Sequence, residues 1–353
     1  MTISPYSPED AREFRAALLD WFDIHKRDLP WRRSKDPYGI WVSEIMLQQT
    51  RVAAVLGHYA NWMRRFPTVE ALAAATEDDV LAAWSGLGYY RRARFLHQGA
   101  KAVVAEYGGK IPCAASELLR LPGVGAYTSA AIASIAFEEP VAVVDGNVER
   151  VLLRQAGAAE AGSSREHARK VDRPPLSARN VQAIATALIE PARPGDFNQA
   201  MMELGATVCL PRNPLCLQCP VQKSCRTRGE HPAAIRKPSS SEEICFGLAT
   251  RNSKRDVLLS RRPVDATVMP GMWELPLLQA SSMPEEEPLL SLTHSIMQTN
   301  YKVRVMKLPV PKASPKALPD SGQQWIKTSD LPALPLTGLA RKIFLRLGLL
   351  LRR

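Results

Sequence analysis

The sequence predicts a mainly α-helical chain followed by a smaller α/β domain, and three observations carry that prediction. Apolar residues recur at helical spacing along most of the first 230 positions, with no sustained period-two alternation. The stretch Glu230–Glu243 (EHPAAIRKPSSSEE) is rich in proline, serine and charge, the composition of an interdomain linker. Short strand-like runs follow it. The expected organisation is a helical domain over 1–229, a linker over 230–243 and an α/β domain over 244–353.

The helical pattern places helices over Ala11–Phe22, Gly39–Thr50, Arg51–Phe66, Thr68–Ser85, Ala93–Tyr107, Cys113–Leu119, Tyr127–Phe137 and Val148–Gly157, then over Ala178–Ile189 and Asn198–Cys209. In the C-terminal part, Ile244–Thr250 and Val257–Ser260 read as strands around a hairpin-like turn. Tyr301–Met306 alternates, and Thr337–Leu350 reads as a closing helix.

Composition narrows the class. The chain has 353 residues, 46% of them apolar and 23% charged, which excludes collagen-like, mostly disordered and small disulfide-stapled proteins. No run approaches the roughly 20 apolar residues that cross a bilayer, so no membrane partner is expected. Met1–Asp10 has neither the basic-then-apolar order of a secretory signal nor an Arg-rich, acid-poor character, so a cytoplasmic, bacterial-type location is expected. The net charge of +11 suits a polyanionic partner. The excess sits largely after residue 230, where 18 Lys and Arg face 10 Asp and Glu; the first 230 residues carry 28 against 25.

The most specific motif is Cys209-x6-Cys216-x2-Cys219-x5-Cys225. Without a secretion signal, clustered cysteines read as metal ligands. Two well-separated C-x2-C knuckles would suit zinc. One such pair with asymmetric flanks favours a 4Fe-4S cluster with one thiolate per iron. Cys113 and Cys245 stand alone and read as buried thiols.

Three further motifs are weaker singly. In Leu121–Thr128 (LPGVGAYT), Gly123 and Gly125 make a tight turn ahead of a helix, whose outward N–H groups suit a phosphate oxygen. In Val143–Arg150 (VDGNVER), Asp145 sits at a loop-to-helix junction, where a plain N-cap is the competing reading. In Trp41–Thr50 (WVSEIMLQQT), Glu44 lies in the first turn of an otherwise apolar helix. Burial there would raise its pKa toward that of a general acid, whereas a solvated first-turn Glu would merely favour the helix dipole.

Together these motifs resemble the MutY-type adenine DNA glycosylases of the endonuclease III superfamily. The likeness extends to PWR at Pro30–Arg32, GLGYYRRAR at Gly86–Arg94 and FNQAMMELGA at Phe197–Ala206. The resemblance implies a two-lobed helix–hairpin–helix glycosylase with an iron–sulfur loop. It also implies a Nudix-like C-terminal module, into which Met269–Pro276 (MPGMWELP) fits. The expected partner is duplex DNA carrying adenine opposite 8-oxoguanine or guanine, bound by a monomer, with the target base flipped into a pocket.

The resemblance also assigns roles. Glu44 would protonate adenine, Asp145 would stabilise the oxocarbenium-like sugar, and Tyr127 and Asn147 would orient them. Gln49 and Tyr89 match residues that wedge into the base stack, and Thr50 one that contacts the lesion. Arg27, Leu29, Trp31 and Gln199 match the adenine pocket. In bifunctional relatives the position of Tyr127 carries a Schiff-base lysine, and a phenol cannot form one, which implies a monofunctional enzyme. Ile296, Met297 and Gln298 replace the Phe-Ser-His turn that reads 8-oxoguanine in many members, which leaves Gln298 as the candidate lesion contact. No Nudix hydrolase signature is present, so this module is expected to bind rather than hydrolyse. The competing readings are an endonuclease III-type pyrimidine glycosylase/lyase and a non-catalytic iron–sulfur DNA-binding protein.

Overall fold

The computed structural model describes residues 6–158, 176–230, 240–278, 286–296, 299–309 and 322–351. The first part of the chain contains α1 (Pro8–His25), α2 (Pro37–Leu47), α3 (Val52–Arg65), α4 (Val69–Ala74), α5 (Glu77–Trp84), α6 (Arg91–Tyr107), α7 (Ala115–Leu118), α8 (Ala126–Phe137), α9 (Gly146–Ala156), α10 (Ala178–Leu188) and α11 (Pro194–Thr207). The helical expectation holds, with two local differences. Thr68–Ser85 is two helices rather than one, because Thr76 leaves the helix and its hydroxyl caps α5 through the Asp79 N–H at 3.1 Å. Helix α2 stops at Leu47 rather than Thr50, and Gln49 beyond it adopts a left-handed φ of 56°.

The chain divides into two compact units. One comprises residues 1–59, 68–70 and 98–236, the other 60–67, 71–97 and 237–353. Two helical stretches expected within 1–229 therefore belong with the strands. The expected linker is also shorter than its composition suggested: β1 (Ser240–Leu248) begins inside it, while residues 231–239 lie outside the described residues.

In the first unit, α1 starts on a reciprocal cap. The Asp10 N–H donates to Ser7 Oγ, the Ser7 N–H donates to Asp10 Oδ2, and Pro8 opens the helix. Its buried stripe of Phe14, Leu18, Leu19 and Phe22 joins Leu152 of α9, Leu188 of α10 and Phe197 and Leu204 of α11 in one core. Each such side chain contributes about 1.5–3 kcal/mol by leaving water. Helix α8 (AYTSAAIASIAF) is built of small residues, and α11 approaches it so closely that a Cβ on Gly195 would lie 2.6 Å from the Ser134 carbonyl oxygen.

The second unit is the smaller α/β part. One sheet has the order β5 (Leu277–Leu278), β1, β7 (Thr299–Lys307), β6 (Leu290–Ile296), with β1 and β7 parallel and the other pairs antiparallel. In the other, β3 (Asp256–Arg261) pairs antiparallel with β2 (Thr250–Arg251), β4 (Trp273–Glu274) and β8 (Gln323–Lys327). Helix α12 (Gly338–Arg346), capped by Thr337, contributes Ile343 and Phe344 to a core with Val257, Leu259, Trp273, Val303 and Val305. The helical stretch 71–97 is tied to this core by long-range polar contacts. Buried Tyr90 donates its hydroxyl to the Leu336 carbonyl at 2.8 Å, and Arg261 donates to Asp78 at 2.8 Å. Among the described residues no helix is long and apolar enough to cross a membrane.

Candidate active site

The site is built from one helix that is apolar all round. Asp36 caps α2 by accepting from the N–H groups of Tyr38 and Gly39 at 3.1 and 2.9 Å, Pro37 opens it, and every residue from Tyr38 to Met46 is buried. Such a helix belongs to a core, so its lone acid, Glu44, is carried inside with it. Glu44 is 5% exposed and stands seven residues beyond Pro37, well past the first turn, so the solvated first-turn reading fails.

Tyr127, from the first turn of α8, donates its hydroxyl to Glu44 Oε2 at 2.5 Å, and Met202 Sδ lies 3.4 Å from the same hydroxyl. Asp145 enters from the junction before α9. It is the N-cap of that helix, with Oδ1 accepting from the Val148 N–H at 2.7 Å, and Asn147 Nδ2 donates to Oδ2 at 2.9 Å. The capping role is thus real, and it aims the carboxylate: Asp145 lines the same cavity of about 560 Å³ as Glu44, Tyr127 and Asn147. That size suits a small-molecule or base-sized group.

Electrostatics separates the groups. Burial pushes the Glu44 carboxyl up to about 7, and the nearby charge of Asp145 adds to the rise, while the Tyr127 hydrogen bond and the Arg32 charge oppose it. Burial likewise holds the Tyr127 phenol well above its ordinary value, with the Glu44 charge adding to the effect. Near neutral pH, Glu44 therefore keeps a proton that it can give away.

The other predicted pocket residues line this cavity as well. Arg27, Leu29, Trp31, Gln49, Thr50 and Gln199 all border it. Trp31 is also a core residue, packed edge-on against Tyr59 with ring centroids 5.3 Å apart. Gln49, exposed in its left-handed turn, sits at the position where α2 ends. A non-glycine residue costs about 1–3 kcal/mol there, a strain often found at functional positions.

Gly123 and Gly125 do not line the cavity. Gly123 takes a φ of 75°, the Val124 N–H closes the turn on Leu121 O at 3.1 Å, and Gly125 starts α8 with no side-chain cap. With no side-chain cap, the first turn of α8 leaves backbone N–H groups of the kind that bind an anion, beside exposed Gly125 and Ala126. Tyr89 belongs to the second unit, where it is exposed, left-handed at a φ of 49°, and stacked by the Arg92 guanidinium at 5.7 Å. Met297 and Gln298 lie outside the described residues, as does the side chain of Ile296.

The four cysteines line one cavity in the first unit. Among the described residues no group of three or more His, Cys, Asp or Glu side chains is already gathered around a single point. Buried Arg154 donates to Cys209 Sγ at 3.4 Å and to the carbonyls of Leu210 and Pro211, and the Arg228 N–H donates to Cys225 Sγ at 3.5 Å. Four thiols around one cavity, with hydrogen bonds donated to sulfur, suit a thiolate-held cluster. Cys245 is buried as expected; Cys113 is exposed, because it precedes α7 rather than joining it.

Sequence reasoning missed several residues around the cavity. Glu203, 1% exposed, receives Arg27 Nε and Nη2 at 2.6 and 2.8 Å and Arg32 Nη2 at 2.9 Å, which fixes both arginines at the rim. The four-residue spacing from Gln199 puts Glu203 on the same helix face and could have revealed it. Arg150 was also missed. Its guanidinium reaches Asn147 Oδ1 at 3.0 Å, Gly205 O at 2.7 Å and Cys209 O at 2.9 Å, which joins the Asp145 end of the cavity to the first cysteine.

A helical unit with a glycine turn and a buried acid across a cavity from a helix-capping aspartate defines a class. Residues 42–174 match the model of the HhH-GPD superfamily of base excision DNA repair proteins. In the same class, the chain resembles the solved structure of a thermostable thymine-DNA glycosylase at a TM-score of 0.55 and 28% identity, over 62% of this chain and 97% of that one. More narrowly, the chain belongs to the adenine DNA glycosylase family. It is 44% identical over 213 residues to the adenine DNA glycosylase of Mycolicibacterium smegmatis, covering 60% of this chain and 68% of that protein. It is 51% identical over 225 residues to the human adenine DNA glycosylase, covering 61% of this chain; the chain spans 39% of the human protein's length.

Proposed function

We propose that this protein excises adenine paired with 8-oxoguanine or guanine in duplex DNA by hydrolysing its N-glycosidic bond. The observation that carries this reading is the buried Glu44 carboxyl, pushed up to about 7, in one cavity with Asp145. Adenine is a poor leaving group until its ring is protonated. Glu44 gives its proton to N7 as the bond to the sugar lengthens, and the resulting carboxylate then takes a proton from the incoming water. Asp145 faces the positive charge that develops on the sugar and stabilises it most in the transition state. Tyr127 fixes the Glu44 carboxyl, and Asn147 fixes that of Asp145. With a phenol at position 127 no amine is available there for a Schiff base, so strand cleavage is not part of the reaction.

The DNA is held by its backbone at the exposed first turn of α8 after Gly123 and Gly125. On the roles the family resemblance assigns, Gln49 and Tyr89 would wedge the stack as adenine turns into the cavity lined by Arg27, Leu29, Trp31 and Gln199, Thr50 would contact the partner base, and Gln298 is the sequence's candidate for a second contact to it. Cys209, Cys216, Cys219 and Cys225 hold a 4Fe-4S cluster, with Arg154 and the Arg228 N–H donating to the sulfurs. A cluster held by these four thiolates would cross-link the 209–225 loop. The C-terminal unit acts as the reader of the partner base.

Base release from duplexes carrying A opposite 8-oxoguanine, A opposite G and an oxidised pyrimidine tests this. The expected result is free adenine from the first two, without strand cleavage until alkali is added. Strand cleavage at the pyrimidine would instead support the lyase reading. Tight binding without base release would support a non-catalytic binder.

A further inference from the structure

Asn198 takes part in no step above, yet its side chain is completely committed. It is 1% exposed, in the FNQAMMELGA run on α11. Nδ2 donates to Ser134 Oγ at 2.9 Å and to the Val141 carbonyl at 2.8 Å, and Oδ1 accepts from the Val143 N–H at 3.0 Å. Ser134 lies on α8, the helix that presents Tyr127. Val141 and Val143 lie in the extended run that delivers Asp145 two residues later. Among the described residues that run belongs to no sheet, so Asn198 supplies two of the hydrogen bonds that a neighbouring strand would otherwise provide. The close approach of α11 to α8 at Gly195, three residues earlier, is what lets so short a side chain reach both.

We propose that Asn198 is a positioning residue that sets the spacing between the Glu44–Tyr127 pair and Asp145. The inference rests on the adenine-excision reading. One amide ties the helix under the acid to the strap under the charge stabiliser. Remove it, and the Val141 carbonyl and the Val143 N–H are left buried without that partner, which moves the strap rather than merely loosening the core. The charged and titratable groups facing Glu44 are Tyr127, Asp145 and Arg32. Asp145 is the one whose distance from Glu44 the strap controls.

The test compares full-length wild type with Asn198→Ser, Asn198→Asp and Ser134→Ala. Asn198→Asp keeps the shape and the acceptor for Val143 but loses both donors. Ser134→Ala removes only the α8 leg. Single-turnover adenine excision across pH, affinity for a non-cleavable A:8-oxoguanine duplex, and melting temperature are measured for each. Asn198→Ser and Asn198→Asp are expected to lose about a hundredfold in excision rate, with duplex affinity within about threefold of wild type. Their alkaline limb should move to lower pH, because the charge that lifts Glu44 has moved away. Ser134→Ala should lose about tenfold. A folded Asn198→Ser with wild-type rate and pH profile overturns the inference. So does a rate that falls only in step with affinity and melting temperature. If wild type itself releases no adenine, the functional reading fails and the inference fails with it; an active wild type with unaltered variants sinks the role of Asn198 alone.

Discussion

Glu44 and Asp145 line one cavity but are held there by opposite means. Glu44 rides on a helix whose neighbours are buried all round, and it accepts a hydrogen bond from a phenol. Asp145 stands at an exposed-to-buried junction and accepts from a backbone N–H and from Asn147. Burial favours the neutral acid at Glu44. The two carboxyl groups thereby differ in role, Glu44 suited to give a proton and Asp145 aimed into the cavity by its own hydrogen bonds.

Substitutions can break that contrast from either side. The largest effect is expected at Glu44→Gln, which keeps the shape but has no acidic proton: adenine excision should fall by about 10⁴-fold, while a base that leaves without protonation should be released at a nearly normal rate. Asp145→Asn should cost about 10³-fold with duplex affinity nearly intact, because Asn still caps α9 and the lost charge matters most in the transition state. Single-turnover rates and equilibrium binding on A:8-oxoguanine duplexes check both.

A smaller effect sharpens the contrast through Tyr127. Its hydrogen bond pulls the Glu44 carboxyl down against burial. Tyr127→Phe should therefore move the alkaline limb of the excision profile to higher pH, with a rate loss within about tenfold.

Burial of Glu44 also has a stability consequence. Its folded value, about 7, lies above the unfolded one of 4.5. The contribution of the protonated carboxyl is fully present below about pH 4.5 and is lost as pH rises through about 7. Above that, wild type carries a cost on the order of 3 kcal/mol. Glu44→Gln, which cannot ionise, should melt above wild type at pH 8, and the gap should close by pH 5. Thermal melts at the two pH values decide it, and a more stable but inactive variant is the usual trade at such a site.

Much of this was legible in the sequence, for local reasons. Helical periodicity located the elements, cysteine spacing pointed to one cavity, and the family resemblance named Glu44, Tyr127, Asp145, Asn147 and the pocket residues that line the other. What was illegible is non-local. Nothing in the periodicity of 71–97 shows that Tyr90 bonds Leu336 or that Asp78 receives Arg261, so the boundary between the two units did not follow the composition. Glu203 and Asn198 read as ordinary helix residues until the groups they satisfy, far along the chain, come into view. The end of α2 was misplaced because Gln48 and Gln49 are good helix formers, whereas the backbone at Gln49 turns left-handed.

The central claim is that Glu44 delivers the proton from a carboxyl lifted by burial. The most direct test is the pH profile of single-turnover adenine excision by the wild-type chain on an A:8-oxoguanine duplex, from about pH 3.5 to 9. A rate that is high at low pH and declines through a single alkaline limb centred at about 7, absent from the residual activity of Glu44→Gln, is the predicted result. A profile flat from pH 6 to 9, or a break near the ordinary carboxyl value of 4.5, would contradict it.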